Sequence, residues 1–223
     1  MFNFIPVPLE DHEALLGKDF NSRFAIEMAD YYAPFLKKNR KIQLAKETWE
    51  YAVADSIDQA QHMGSGNSMI DVRAPLLDLD VKGLSAKDLD GTTTEASFLQ
   101  VLKSSADHYS QSWKNHDWAD LKKIFVDPLV AKHHGTNNLH LFVIVRTSAD
   151  QAVHYALLKV VPSTLTDAEF IEKMKLHGSR AIDLPMLDPS HGRCYIMIGK
   201  RRLELRLECS GMKNFLQFSH HYK

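Results

Sequence analysis

Between Met69 and Ser85 the chain reads MIDVRAPLLDLDVKGLS, and four of its side chains, Asp71, Asp78, Asp80 and Lys82, are of types that act together on phosphate. Read as a strand, the second half alternates. Leu77, Leu79, Val81 and Gly83 fall on one face, while Asp78, Asp80 and Lys82 share the other. Residues two apart on a strand face are separated by roughly 6.5 to 7 Å, a gap that two side chains close around one ion or phosphate. The preceding MIDVR reads as a short strand folded back by a turn at Ala74-Pro75. With the turn centred there, Asp71 lies across from Asp78 and diagonal to Asp80. A slip of one residue would turn Asp71 to the other face.

Carboxylates gathered at such range repel unless a positive group stands between them. Mg²⁺ does this through oxygen ligands at about 2.1 Å. A lysine competes with a passively held cation, but suits a site that acts on phosphate. There the metal polarises a phosphoryl oxygen and acidifies a water, and Lys82 orients or deprotonates that water or stabilises the developing negative charge. The plainer alternative is a solvated strand face on which Asp80 and Lys82 merely pair. Asp120-Leu121-Lys122 repeats the same letters, but within a helical pattern where the two charges share no strand face. What distinguishes the first segment is a second aspartate on a neighbouring strand, an apolar reverse face and a glycine directly after the lysine.

Around this segment the chain supplies helices and strands. DFNSRFAIEMADYYAPFLKK predicts a helix interrupted near Pro34. RKIQLAKETWEYAVADSIDQAQHM predicts another, with Ile42, Ala45, Trp49, Val53, Ile57 and Ala60 on one face, running close to the glycines of GSGN at 64–67. GTTTEASFLQVLKSSADHYSQSW reads as a further helix with an acidic first turn, and DWADLKKIFVDPLVAKHH as helical up to Pro128. LHLFVIVRT and AVHYALLKVV read as a hairpin in mid-sheet. TDAEFIEKMKLHG follows as a short capped helix, and RCYIMIGKRRLELRLEC as a second hairpin turning near Lys200. This order predicts an α/β or α+β domain with a mixed central sheet flanked by helices.

The 223 residues are enough for a substantial core, and the reading is of a single domain over 1–223. With 44% hydrophobic and 25% charged residues the chain is expected to fold rather than remain disordered. No apolar run is long enough to span a bilayer and no secretory signal is recognisable, so a cytoplasmic protein without a membrane partner is expected. Cys194 and Cys209 make no disulfide framework or zinc spacing. A net charge of −1 leaves any nucleic acid to be held by local basic patches, 37–41, 132–134 or Lys200-Arg201-Arg202, each of which also reads as a solvated helix end or turn.

The segment resembles the PD-(D/E)xK nuclease superfamily, whose pattern is a helix, a strand bearing an aspartate and a strand bearing (D/E)-x-K. Here it reads Asp71, eight intervening residues, then Asp80-Val81-Lys82, and the resemblance covers about 40–105. Asp71 follows Ile70 where the family's pattern has proline, and a loop and helix are expected after Lys82. The resemblance implies a restriction endonuclease-like core and Mg²⁺-dependent hydrolysis of double-stranded DNA. Asp71 and Asp80 would ligate the metal, the Val81 carbonyl would add an oxygen, and Lys82 would handle the attacking water. Asp78 is the alternative ligand for Asp80's place. From the preceding helix Glu50 is the candidate to complete the metal site, with Glu47, Asp55 and Asp58 competing. Arg73, Lys200, Arg201 and Arg202 are the candidates for contact with DNA. A type II restriction endonuclease is the leading reading, and a dimer would let two sites cut two strands. A repair, recombination or phage-type nuclease, and a non-catalytic DNA-binding or assembly protein, stand as alternatives.

Overall fold

The computed structural model describes residues 2–37, 46–64, 70–86, 95–102, 112, 114–123, 127, 131, 138–149, 151–162, 166–177, 181–183, 193–198, 202–208 and 218–221. The elements in chain order are β1 (Phe2–Pro6), α1 (Leu9–Leu16), α2 (Phe20–Lys37), α3 (Lys46–Ser56), β2 (Gln61–His62), β3 (Val72–Arg73), β4 (Asp78–Ala86), β5 (Glu95–Leu102), β6 (Leu139–Thr147), β7 (Ala152–Pro162), α4 (Asp167–Lys173), β8 (Lys175–His177), β9 (Ala181–Asp183), β10 (Arg193–Ile198), β11 (Arg202–Glu208) and β12 (Phe218–His221). The fold is α+β. Its contacts divide it into two compact units where the sequence predicts one, and both are discontinuous: 5–92 with 138–159 and 215–223, and 1–4 with 93–137 and 160–214. The expected catalytic core, 40–105, therefore straddles a boundary near residue 92.

The first unit is built on a sheet of order β1-β7-β6-β4-β3-β2, with β12 also paired to β7. It is mixed because β4 and β6 run parallel, Asp78 beside Leu139 through to Ala86 beside Thr147. β2, β3 and β4 form an antiparallel meander. The hairpin of β6 and β7 stands in mid-sheet as the sequence predicts. β6 is buried along nearly its whole length on both faces, which is the environment its continuous apolar run demands.

One face of this sheet carries Val72, Leu79, Val81, Phe142, Ile144, Tyr155 and Leu157, and these share a core with residues of α1, α2 and α3. α2 contributes a stripe at every fourth position, Phe20, Phe24, Met28 and Tyr32, all buried. The Phe24 ring meets Phe142 edge-on at 5.7 Å, and Phe142 stacks on Tyr155 at 4.9 Å. α3 contributes Trp49, Ala52, Val53 and Ile57. The opposite face holds Asp78, Asp80 and Lys82 beside Leu139, Leu141 and Val143 of β6, all three of which are buried.

Among the described residues the helices depart from expectation in several places, one being the expected helix TDAEFIEKMKLHG, which ends at Lys173 and gives way to β8 at Lys175–His177. α2 runs unbroken through Pro34, which sits exposed near its C-terminal end, where a missing N–H costs less than in a buried interior. α3 ends at Ser56, not at the glycines of 64–67. Gln59 takes a left-handed turn at φ 62°, and Gln61–His62 then pair with β3. The stretch after Thr94 is the strand β5, not a helix, because it pairs with β11 from Leu102 beside Arg202 to Glu95 beside Glu208. That partner lies about a hundred residues away, beyond the reach of local periodicity.

The second unit carries the antiparallel sheet β5-β11-β10-β9-β8. The hairpin of β10 and β11 forms as expected, Ile198 beside Leu203. α4 starts at Thr166, whose side chain and Glu169 form a reciprocal capping box. The helix over 118–123 separates the charges of Asp120-Leu121-Lys122 as predicted. Ser112 Oγ donates to Asp120, while Lys122 pairs with Asp127 at 2.5 Å.

Candidate functional site

The β3–β4 hairpin positions the charged cluster. Its turn closes with Ala74 N–H donating to Leu77 O at 2.9 Å, which leaves Pro75 and Leu76 as the two exposed central residues. The paired residues are Arg73 with Asp78 and Val72 with Leu79. The next pair outward is therefore Asp71 with Asp80. The expected placement of Asp71 across from Asp78 is corrected by two residues, because the turn centres after Pro75 and not before it. A shift of two preserves the face, so Asp71 still points the way of Asp80 and Lys82.

Three side chains meet there. Lys82 Nζ donates to the Asp80 carboxylate and stands 3.9 Å from Asp71 Oδ2. Asp71 is tied to the strand twice: its N–H donates to Leu79 O at 2.9 Å, and its Oδ2 accepts from the Val81 N–H at 2.8 Å. The side chains of Asp80, Lys82 and Asp71 are 5%, 12% and 14% exposed, so the charges sit partly withdrawn from water, where they interact more strongly than on an open surface. Among the described residues, two carboxylates face one ammonium here. The Val81 carbonyl leaves β4 on the edge its N–H uses to reach Asp71.

Asp78 is drawn elsewhere. Arg73 Nε donates to its Oδ1 at 3.1 Å, and the pair sits toward the turn with the Arg73 side chain half exposed. The two candidates thus occupy each other, and Asp80 is the carboxylate that meets Lys82.

The acids of α3 and the turn after it sort by burial. Glu47, Asp55 and Asp58 are exposed, and Asp58 pairs with Arg23 at 2.5 Å. Glu50 is buried and lies 2.8 Å from His62 Nε2. His62 stands beside Val72 in the β2–β3 ladder and so takes that residue's side of the sheet, away from Asp71, Asp80 and Lys82. The ring of Tyr51 packs against His62 at 4.2 Å. Among the described residues, no set of three or more His, Cys, Asp or Glu side chains is placed to hold a metal ion. Lys200 and Arg201 lie outside the described residues, and Arg202 opens β11 in the second sheet.

Sequence reasoning missed two relationships. The sequence marks Gly83 as part of the apolar face and as the glycine directly after Lys82, with no sign of what it packs against. A β-carbon there would stand 2.8 Å from Trp49 Nε1, so the glycine admits the indole of α3 against the sheet. The Glu50–His62 pair has no signal in the sequence, where helical periodicity continues through the residues that form β2. Deeper in the core, the Tyr155 hydroxyl donates to Asn21 Oδ1 at 2.9 Å and lies 3.0 Å from His12 Nδ1, and burial pushes its ionisation far above the ordinary phenol range. His140, beside Leu79, donates from Nδ1 to the Asn138 carbonyl at 2.8 Å. Burial holds its pKa below the usual value.

Compared with protein-family models, curated proteins and solved structures, the chain matches none. No helix among the described residues is long and apolar enough to cross a membrane.

Proposed function

We propose that this protein is a Mg²⁺-dependent endonuclease that hydrolyses phosphodiester bonds of double-stranded DNA, of the type II restriction kind. The observation that carries the reading is the Lys82 ammonium set against the carboxylates of Asp71 and Asp80 on one partly buried face of the β3–β4 hairpin. The donor set suits the cation, since Mg²⁺ is held by one or two carboxylates and completes its shell with water and phosphate oxygens. When bound, it supplies Lewis acidity toward a phosphoryl oxygen and a more acidic water.

The chain's own groups divide the remaining work. Asp71 and Asp80 would hold the cation, and the Val81 carbonyl would add an oxygen. Lys82 meets the attacking water or the scissile phosphate, where its charge offsets the negative charge of the transition state. Arg73, Lys200, Arg201 and Arg202 are assigned to the DNA backbone or groove. The reading places the protein in the cytoplasm and makes it a dimer if paired sites cut both strands. Glu50, held by His62, has no part in it.

Digestion of unmodified plasmid and genomic DNA in Mg²⁺ tests the reading. Discrete fragments support sequence recognition, whereas smears or ladders move the assignment to a repair, recombination or phage-type nuclease. Cleavage left unchanged in Asp71→Asn, Asp80→Asn and Lys82→Met would sink the active site.

The Asp71–Val81 hydrogen bond favours a second reading. It gives Asp71 a structural duty, as expected of a non-catalytic DNA-binding or assembly protein whose charged face only holds the hairpin. That reading predicts DNA retention in a gel without cleavage and without dependence on Mg²⁺.

A further inference from the structure

The three charges of the hairpin differ in how firmly they are held. Asp71 is anchored through both its backbone and its carboxylate, to Leu79 and Val81. Asp80 lies in the middle of the sheet, beside Leu141 of β6 on one side and in line with Asp71 on the other, and it is nearly fully buried. The Asp71 carboxylate is therefore tethered to β4, and the backbone that carries Asp80 is fixed by the ladder. Lys82 joins them through a flexible four-carbon stem, which makes its ammonium the one charge that can leave without unfolding a strand. A divalent ion that took oxygens from both carboxylates would stand where this ammonium now lies. Two positive groups at such range in a partly buried setting repel strongly.

We infer that Lys82 and a divalent cation are alternative occupants of the Asp71–Asp80 cradle, so that the cation enters only as the ammonium leaves Asp80. The inference deepens the nuclease reading and takes the identity of the cation from it. Its consequence is an exchange: in the metal-free hairpin the ammonium offsets part of the carboxylates' charge, and once displaced it becomes available to the anionic phosphate that the cation also attracts. The hairpin thus holds its acids together before any cation arrives, at a cost in cation affinity.

Mg²⁺ alone, without DNA, is titrated by calorimetry into the wild type, Lys82→Met, Lys82→Arg and the double variant Lys82→Met/Asp80→Asn. The expected result is binding at least tenfold tighter in Lys82→Met than in the wild type, no tightening in Lys82→Arg, which keeps the charge, and loss of the gain in the double variant. In the wild type itself, the NMR signals of the Lys82 side chain are expected to move as Mg²⁺ is added, a readout that needs no variant to fold. Equal or weaker binding in Lys82→Met, or a Lys82 side chain unmoved at saturating Mg²⁺, overturns the inference. The nuclease reading fails separately. DNA cut by the wild type with no tightening in Lys82→Met keeps the nuclease and discards the exchange. Tightening in a protein that cuts no DNA keeps the exchange and discards the nuclease. Absence of Mg²⁺ binding in every variant discards both.

Discussion

The backbone N–H of Val81 donates to Asp71 Oδ2 at 2.8 Å, so one of the two carboxylates assigned to the cation also fastens β4 to the end of β3. The two duties separate by substitution. Asp71→Asn keeps an oxygen acceptor for Val81 and loses the charge. Asp71→Ala loses both and leaves a partly buried N–H without its partner, which costs about 1–3 kcal/mol. Urea denaturation should place Asp71→Ala below the wild type by that amount and Asp71→Asn close to it. If the carboxylate serves the cation, both variants lose cleavage. Full activity in Asp71→Asn would assign Asp71 to structure alone.

Asp80 and Asp78 are told apart by their neighbours. Asp80→Asn is expected to lower cleavage at least about a hundredfold, the scale of losing one charge contact in a transition state. Asp78→Asn breaks only a half-exposed pair with Arg73 and should leave the rate within a few-fold. Single-turnover cleavage of the two variants side by side is the measurement, and equal losses would show that the register does not select Asp80.

Gly83 is required by Trp49 and not by the chemistry of Lys82. An alanine there would bring its β-carbon to 2.8 Å from Nε1 and 3.0 Å from Cδ1 of the indole. Because Trp49 is buried and packs edge-on against Tyr32 at 6.2 Å, it has little room to move. Gly83→Ala should destabilise by about 1–3 kcal/mol, the cost of overpacking a filled core. The same change in a Trp49→Phe background should cost less, a coupling that a double-mutant cycle reads directly.

His140 contributes a pH dependence with a definite sign. Burial, opposed by the Asn138 carbonyl and aided by Lys159, holds its folded pKa below the ordinary value of 6.5. The unfolded chain therefore binds the proton first as pH falls. Its contribution to stability is complete above pH 6.5 and is lost progressively below it, down through the folded pKa. Unfolding free energies measured at pH 7.5, 6 and 5 should fall more steeply for the wild type than for His140→Gln. Parallel profiles would remove His140 from the account.

The Tyr155 hydroxyl joins β7 to α2 through Asn21 and to α1 through His12. Tyr155→Phe keeps the ring stacked on Phe142 and takes this hydroxyl from the buried His12 ring, while the exposed Asn21 can turn to water, so a loss of about 1–3 kcal/mol is expected. Thermal or urea unfolding checks it, and a variant as stable as the wild type would show that His12 and Asn21 satisfy each other.

Alternation along the chain is enough to put Asp80 and Lys82 on one strand face and Leu77, Leu79, Val81 and Gly83 on the other. Side-chain direction along a strand is a property of the local backbone, repeating every two residues whatever the strand pairs with. The β6–β7 hairpin and the Thr166 cap were legible for the same reason: their signals lie within a few residues. Which groups those faces meet depends on the folded chain. Asp71 stands against Asp80 because the turn centres between Pro75 and Leu76, a register that alternation alone leaves open by steps of two. β5 is a strand because β11 lies beside it, and Glu50 turns to His62 because β2 forms where a helix was expected to continue. Each of these depends on a partner distant in the chain or on the length of a turn, and neither is written in the periodicity of the segment itself.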